Sequence, residues 1–188
     1  MPLDTDEILV GANGSLAVAP VGSTMPTDPT TALDAAFTDL GYATDDGARW
    51  SDSKSVNDRM VWQSFYTARK IVESRANKIM IDLTQWNKDT LALALGGGTV
   101  TEPVPASGNF QFDPPSPETI DERAFVLSWQ DGALNYRVLY WRAVVTSDIE
   151  TALSRSASAE IPLEIEALPY QSNPIYRLLT DDAAFDPS

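Results

Sequence analysis

One stretch, residues 62–100 (WQSFYTARKIVESRANKIMIDLTQWNKDTLALALGGGTV), constrains the fold of this chain more than any other. With the residues just before it, it reads as a β meander, with strands over 56–63, 65–73 and 75–86, rich in Val, Ile, Tyr, Phe and Trp. Around residues 78–84 the alternation is clean: Ile79, Ile81 and Leu83 take one face, and Lys78, Met80, Asp82 and Thr84 the other. The period then changes. Asn87 offers an N-cap oxygen, Asp89 suits the positive end of a helix dipole, and Leu91, Leu93 and Leu95 run through a helix expected over 88–95. A helix this short is unstable alone in water, so its leucines must dock on a sheet. Gly96 can take the left-handed C′ position that ends it. Gly96-Gly97-Gly98 follow the helix rather than precede it, and no Gly-Lys-Ser/Thr accompanies them, which argues against a phosphate cradle.

The flanking sequence is mostly β as well. Leu16, Val18 and Val21 alternate with small residues as a strand would, and residues 22–32 are turn-rich. Residues 32–40 form either one or two helical turns, with Leu33, Phe37 and Leu40 on one side, or an ordered surface loop pinned by Phe37. Asp45-Asp46-Gly47 between two short alternating segments predicts a hairpin over 41–51; a calcium loop would need spaced oxygen ligands that are missing here. Residues 99–121 contain Pro103, Pro105, Pro114, Pro115 and Pro117, which forbid a central strand. A connection this long is functional or disordered, and Phe110 and Phe112 alternate within it as a short edge strand or anchoring hook would.

Two strong strands follow, over 123–130 and 134–146, joined at Asp131-Gly132. The second is apolar on both faces, so it is central or covered on its outer side. Residues 148–153 suggest a helical turn. Over 159–168 the pattern is almost perfect, with Ala159, Ile161, Leu163, Ile165 and Ala167 inward and Glu160, Glu164 and Glu166 outward. From Gln171 onward the chain reads as a mobile acidic tail. Eight or nine strands, one short docked helix and no repeats predict a mainly β fold, an antiparallel β-sandwich or barrel. A single domain over 1–188 is expected, with an N-terminal arm (1–13), the Pro-rich loop (99–121) and a C-terminal tail (171–188).

Composition narrows the chemistry. A chain of 188 residues buries roughly 70% of its unfolded surface and needs no staples. It has neither Cys nor His, which removes disulfides, thiolate and imidazole metal sites, and the usual general base. Carboxylate chemistry survives, but among Asp82, Glu118, Asp121, Glu122, Glu160 and Glu164 no pair stands out, and the Glu160–Glu164–Glu166 row reads as a solvated strand face. The aromatics (Trp50, Trp62, Tyr66, Trp86, Phe125, Trp129, Tyr136, Tyr140 and Trp141) suit a sugar-binding face, yet most occupy positions expected in the core. No catalytic, cofactor-binding or metal-ligating set emerges, and an enzyme is not expected. No apolar run approaches the ~20 residues of a membrane-spanning helix, and the acidic start opposes export by a signal peptide. The formal charge of −14 opposes a grip on DNA phosphates.

Three segments carry a resemblance: Gly11-Ala12-Asn13-Gly14-Ser15-Leu16, the block TALDAAFTDLGYATDDG over 31–47, and WQSFYTARKIV…QWNKDTLALALGGGTV over 62–100. In their order and spacing the chain resembles the major tail (tail tube) proteins of long-tailed, non-contractile bacteriophages, especially those of actinobacteria. The resemblance covers most of the chain and is strongest over 31–100. An appended immunoglobulin-like C-terminal domain, as some relatives carry, is not expected in the stretch after residue 171. The resemblance implies a β-sandwich or barrel with one flanking helix, assembling as hexameric rings that stack head to tail around a tape-measure protein. It implies partners in tail terminator and tail-tip proteins and in DNA that passes without tight binding, with no membrane. It also implies residence in the virion tail, after a period in the host cytoplasm. The loop over 99–121, with Phe110, Phe112 and Pro114, and the N-terminal arm are then expected between subunits. Glu160, Glu164, Glu166 and Asp82 are expected to face the lumen, where carboxylates would let DNA slide. The alternatives are the inner tube of a contractile injection system, a carbohydrate-binding β-sandwich, and a carboxylate-only glycoside hydrolase.

Overall fold

The structure, a computed structural model, describes residues 8–116 and 120–187. In chain order its elements are β1 (Ala12–Pro20), β2 (Thr38–Asp39), β3 (Ala43–Val61), β4 (Ser64–Leu83), α1 (Lys88–Ala94), β5 (Thr99–Thr101), β6 (Gln111–Asp113), β7 (Glu122–Asp131), β8 (Leu134–Val145), β9 (Ile161–Ala167) and β10 (Arg177–Thr180). All strand pairings are antiparallel. Eight strands form one sheet in the order β2-β1-β7-β8-β9-β4-β3, with β10 added beside β8, while β5 and β6 make a separate ribbon.

The sheet curls on itself because its two ends are tied. β2 and β3 stand at opposite ends of the strand order, yet only Leu40, Gly41 and Tyr42 separate them in sequence. That is a span of at most about 14 Å. Leu40 N donates to Leu16 O on one side of the seam, and Thr84 N donates to Tyr42 O on the other, each at 2.9 Å. The enclosed core takes Leu16 from β1, Ile79 and Leu83 from β4, Phe125 from β7, Tyr140 from β8 and Ile165 from β9. The fold is thus mainly β and sandwich-like, with one short α-helix among the described residues, as the sequence predicts.

β8 explains its own two-sided pattern. β7 pairs with one edge, while β10 takes the first half of the other edge and β9 the second half. This chain's own loop lies on its outer face: Arg137 Nη1 donates to Asp28 O (3.1 Å) and Thr31 O (2.6 Å), and Leu139, two residues on along the same face, is fully buried. The Asp28 carboxylate, which accepts from both Thr30 and Thr31, folds that loop locally. Those bonds, led by the Thr31 hydroxyl, hold its carboxyl far below the usual range.

Several expectations are corrected. The three-stranded meander is one hairpin of two very long strands, turning at Trp62-Gln63; what reads as a break near Ser74 is a bulge that leaves Glu73 unpaired. The hairpin over 41–51 is absent, because Ala43 and Ala48 both pair with β4 and Thr44–Gly47 bulge opposite Asp82 alone. An Asp-Gly turn serves a bulge as well as a hairpin; the distant partner strand decides. Of the two readings of residues 32–40, the ordered loop holds and the helical turns do not, with Phe37 half-buried and the segment passing through β2. Residues 148–153 are irregular rather than helical. The expected mobile tail contains β10, and Asp181 and Asp182 beyond it accept from Asn135 and Tyr136. Asp4, Asp6, Glu7, Pro117 and Glu118 lie outside the described residues.

Candidate assembly surfaces

The β3–β4 hairpin leaves the body at a polar knot. Asn77, buried in β4, accepts at Oδ1 from Trp50 Nε1 (2.9 Å) and from the hydroxyl of Tyr140. Burial pushes the Tyr140 phenol well above its ordinary range. Trp50 meets Tyr176 edge to face, 5.1 Å between centroids. Beyond this root, every residue from 52 to 75 except Asn57 and Ser64 is exposed. Residues 52–61 of β3, at about 3.3 Å per residue, carry the tip some 30 Å from the body. The tip is apolar: Trp62 is 98% exposed, Phe65 101% and Tyr66 84%, with Met60 and Val61 beside them.

Charge on this arm is distributed oddly. Asp58 binds Lys70 at 2.6 Å and accepts from Thr67, and Lys70 foremost holds its carboxyl below the usual range. The other cations face each other: Lys54 stands directly opposite Arg75, and Arg59 opposite Arg69. Like charges directly opposite destabilise a strand pair, and none of these four has a carboxylate partner among the described residues.

A second apolar surface lies between α1 and the β5–β6 ribbon. Asn87 Oδ1 accepts from Asp89 N (2.9 Å) and Thr90 N (3.0 Å), while Thr90 Oγ1 accepts from Asn87 N (3.1 Å), closing a capping box. At the other end Gly97 N reaches Ala92 O and Gly96 N reaches Leu93 O, a Schellman stop with Gly96 at φ 73°. Only Thr90, Leu93 and Ala94 face the core. Leu91 and Leu95, two residues either side of Leu93, cannot share its face on a helix with 3.6 residues per turn. Leu91 instead lines a groove of about 490 Å³ with Trp86, Val100, Phe110 and Phe112. Phe112 fits there because residue 98 is glycine: a Cβ on Gly98 would lie 2.4 Å from the Phe112 ring and 2.8 Å from Asp113 O. The expected loop residues thus divide. Phe110 and Phe112 join the groove, and Pro114 is exposed beyond β6.

The expected acidic row is also divided. Glu164 and Glu166 point away from the core, but Lys78 on β4 bridges both, at 2.8 and 3.2 Å. Lys78 and then Thr146 hold Glu164 below the usual carboxylate range, and the two glutamates hold Lys78 above the usual amine range. Glu122 and Arg142 make a further pair on β7 and β8, 2.7 Å apart at Arg142 Nε. Asp82, half-buried on β4, and Glu160, exposed just before β9, have no ion-pair partner among the described residues. Another cavity, about 660 Å³, opens at the seam between the start of β1 and the Thr44–Gly47 bulge, with Asp45 and Asp46 at its rim and Trp50 and Trp129 in its wall.

Among the described residues no cluster of three acidic side chains is placed to hold a metal ion, and no helix is long and apolar enough to cross a membrane. Of the aromatics, Phe125, Tyr136 and Tyr140 are buried as expected, whereas Trp62 and Tyr66 are on the arm tip. The signal was present in the sequence: residues 52–61 (DSKSVNDRMV) show no two-residue alternation, so neither face of that segment is a core face. No curated protein matches the sequence. The family model described as phage tail tube protein matches residues 1–188, the whole chain. The chain therefore belongs to the phage tail tube protein family, and is a non-enzymatic structural protein of the virion tail.

Proposed function

We propose that the protein assembles into hexameric rings that stack head to tail into the hollow tube of a long, non-contractile tail, around a tape-measure protein, and that DNA passes through it during ejection. The observation that carries this reading is the arm: a ~30 Å ribbon ending in fully exposed aromatic side chains. An isolated two-stranded ribbon is marginal in water, and an apolar tip of this kind marks an interaction site. A contact between two different patches of one molecule closes rings and also propagates filaments. Tail terminator and tail-tip proteins would bound the stack, and the chain would wait in the host cytoplasm before assembly.

The charge of −14 supports passage of DNA without retention, since a lumen poor in cations releases few counterions from the duplex. Within the row Glu160, Glu164, Glu166 and Asp82, the proposed lumen charge rests on Asp82 and Glu160, because Lys78 neutralises much of the other two. Phe110, Phe112 and Pro114 are proposed to lie between subunits. Negative-stain microscopy of the purified protein tests the assembly: sixfold rings or tubes are expected, and monomers alone, even with tail-tip initiator present, overturn it.

A further inference from the structure

We infer that the acceptor for the arm tip is the groove between α1 and the β5–β6 ribbon on a second copy of this chain. The inference rests on the self-assembly proposed above and names its contact. The two surfaces are complementary in shape. One is a convex cluster, Trp62, Phe65 and Tyr66; the other is a concave, apolar cleft of about 490 Å³ walled by Trp86, Leu91, Val100, Phe110 and Phe112. That volume takes aromatic side chains, which bury roughly 150–250 Å² each. The tip cannot cover itself, because its strands carry it some 30 Å from its own body.

Charge selects the partner. Residues 52–76 carry five Lys or Arg against three Asp or Glu, while the rest of the chain carries eight against 24. The arm is thus a basic limb on an acidic body, and the body of another copy is its electrostatic complement. Near the tip, the Arg59–Arg69 pair lacks a carboxylate of its own. Around the groove, Asp89 on α1, Glu102 just after β5 and Asp113 at the end of β6 lie within two residues of its walls, three carboxylates against the single cation Lys88 in the wall itself. Docking the tip would bring those carboxylates toward the paired arginines, relieving the like-charge repulsion within the arm.

The chain has no Cys, so the contact can be read by site-directed cross-linking. Gln63→Cys places a thiol in the tip turn, Lys88→Cys one on the groove wall, and Asp46→Cys one at the rim of the seam cavity. Single-Cys variants are mixed in pairs, assembled and treated with a short bis-maleimide. Covalent dimers of the 63 and 88 variants are expected, well above those of 63 and 46, and none when the assemblies are dissociated before the reagent is added. Assemblies that form but cross-link 63 to 46, or to neither, overturn the groove assignment alone; absence of any assembly overturns the self-assembly reading and this contact with it. A second readout uses the critical concentration for assembly. Trp62→Ser and Phe110→Ser should each raise it about tenfold or more, and the double variant no further than the larger single effect, as hot spots that pair across an interface do. Independent, multiplying effects would contradict the contact.

Discussion

Asn77 shows what single side chains decide in this protein. A polar residue in the middle of a core strand looks like an interruption, yet it accepts from Trp50 on β3 and Tyr140 on β8 and so fixes where the arm leaves the body. Asn77→Ala leaves a buried phenol and an indole N–H without an acceptor, which should cost about 1–3 kcal/mol in urea unfolding followed by Trp fluorescence. Lys78, the next residue, carries a prediction in pH. The contribution of Glu164 is full above its unfolded pKa and lost as pH falls through its depressed folded value; that of Lys78 is full below its unfolded pKa and lost as pH rises through its raised value. The stability difference between the native chain and Lys78→Met should therefore be constant between about pH 5 and pH 9 and shrink below about pH 4. Urea midpoints measured from about pH 3 to pH 9 check the plateau and its acid limb.

At the scale of elements, what was local was legible. α1 was readable because its cap, its dipole charge and its glycine stop sit within ten residues of one another, and β9 because alternation over Ile161–Ala167 matches its buried face residue for residue. Asn87→Ala should cost about 1 kcal/mol in thermal or chemical unfolding, and Asn87→Ser should restore most of it. Gly98→Ala should do more damage, since its Cβ meets Phe112 and the backbone sits at φ 115°; a loss of about 1–3 kcal/mol is expected, with the ribbon displaced from α1. The arm was not legible as one element. Asp45-Asp46-Gly47 and Glu73-Ser74 have turn chemistry, and only pairing between residues far apart in sequence shows them to be bulges in two continuous strands. β10 was hidden for the same reason: four residues in an acidic tail become a strand because half of the β8 edge is vacant without them. The groove joins Trp86 to Phe112 across α1, and no periodicity reports that proximity.

For the whole molecule, the body is a curled, strongly acidic sandwich and the arm is a basic, unpartnered ribbon. A contact between the two weakens as salt screens it, over a Debye length near 10 Å at 0.1 M ionic strength. The critical concentration for assembly should accordingly rise between about 0.05 M and 0.3 M salt, whereas the melting temperature of the monomer should change little. The fully exposed tip gives the most direct measurement: sedimentation velocity of the native chain beside the triple variant Trp62→Ser, Phe65→Ser, Tyr66→Ser. Because these side chains are almost wholly exposed in the monomer, the variant should melt at the native temperature yet sediment as a monomer at concentrations where the native chain forms rings or tubes. A variant that assembles as the native chain does would contradict the role given to the arm.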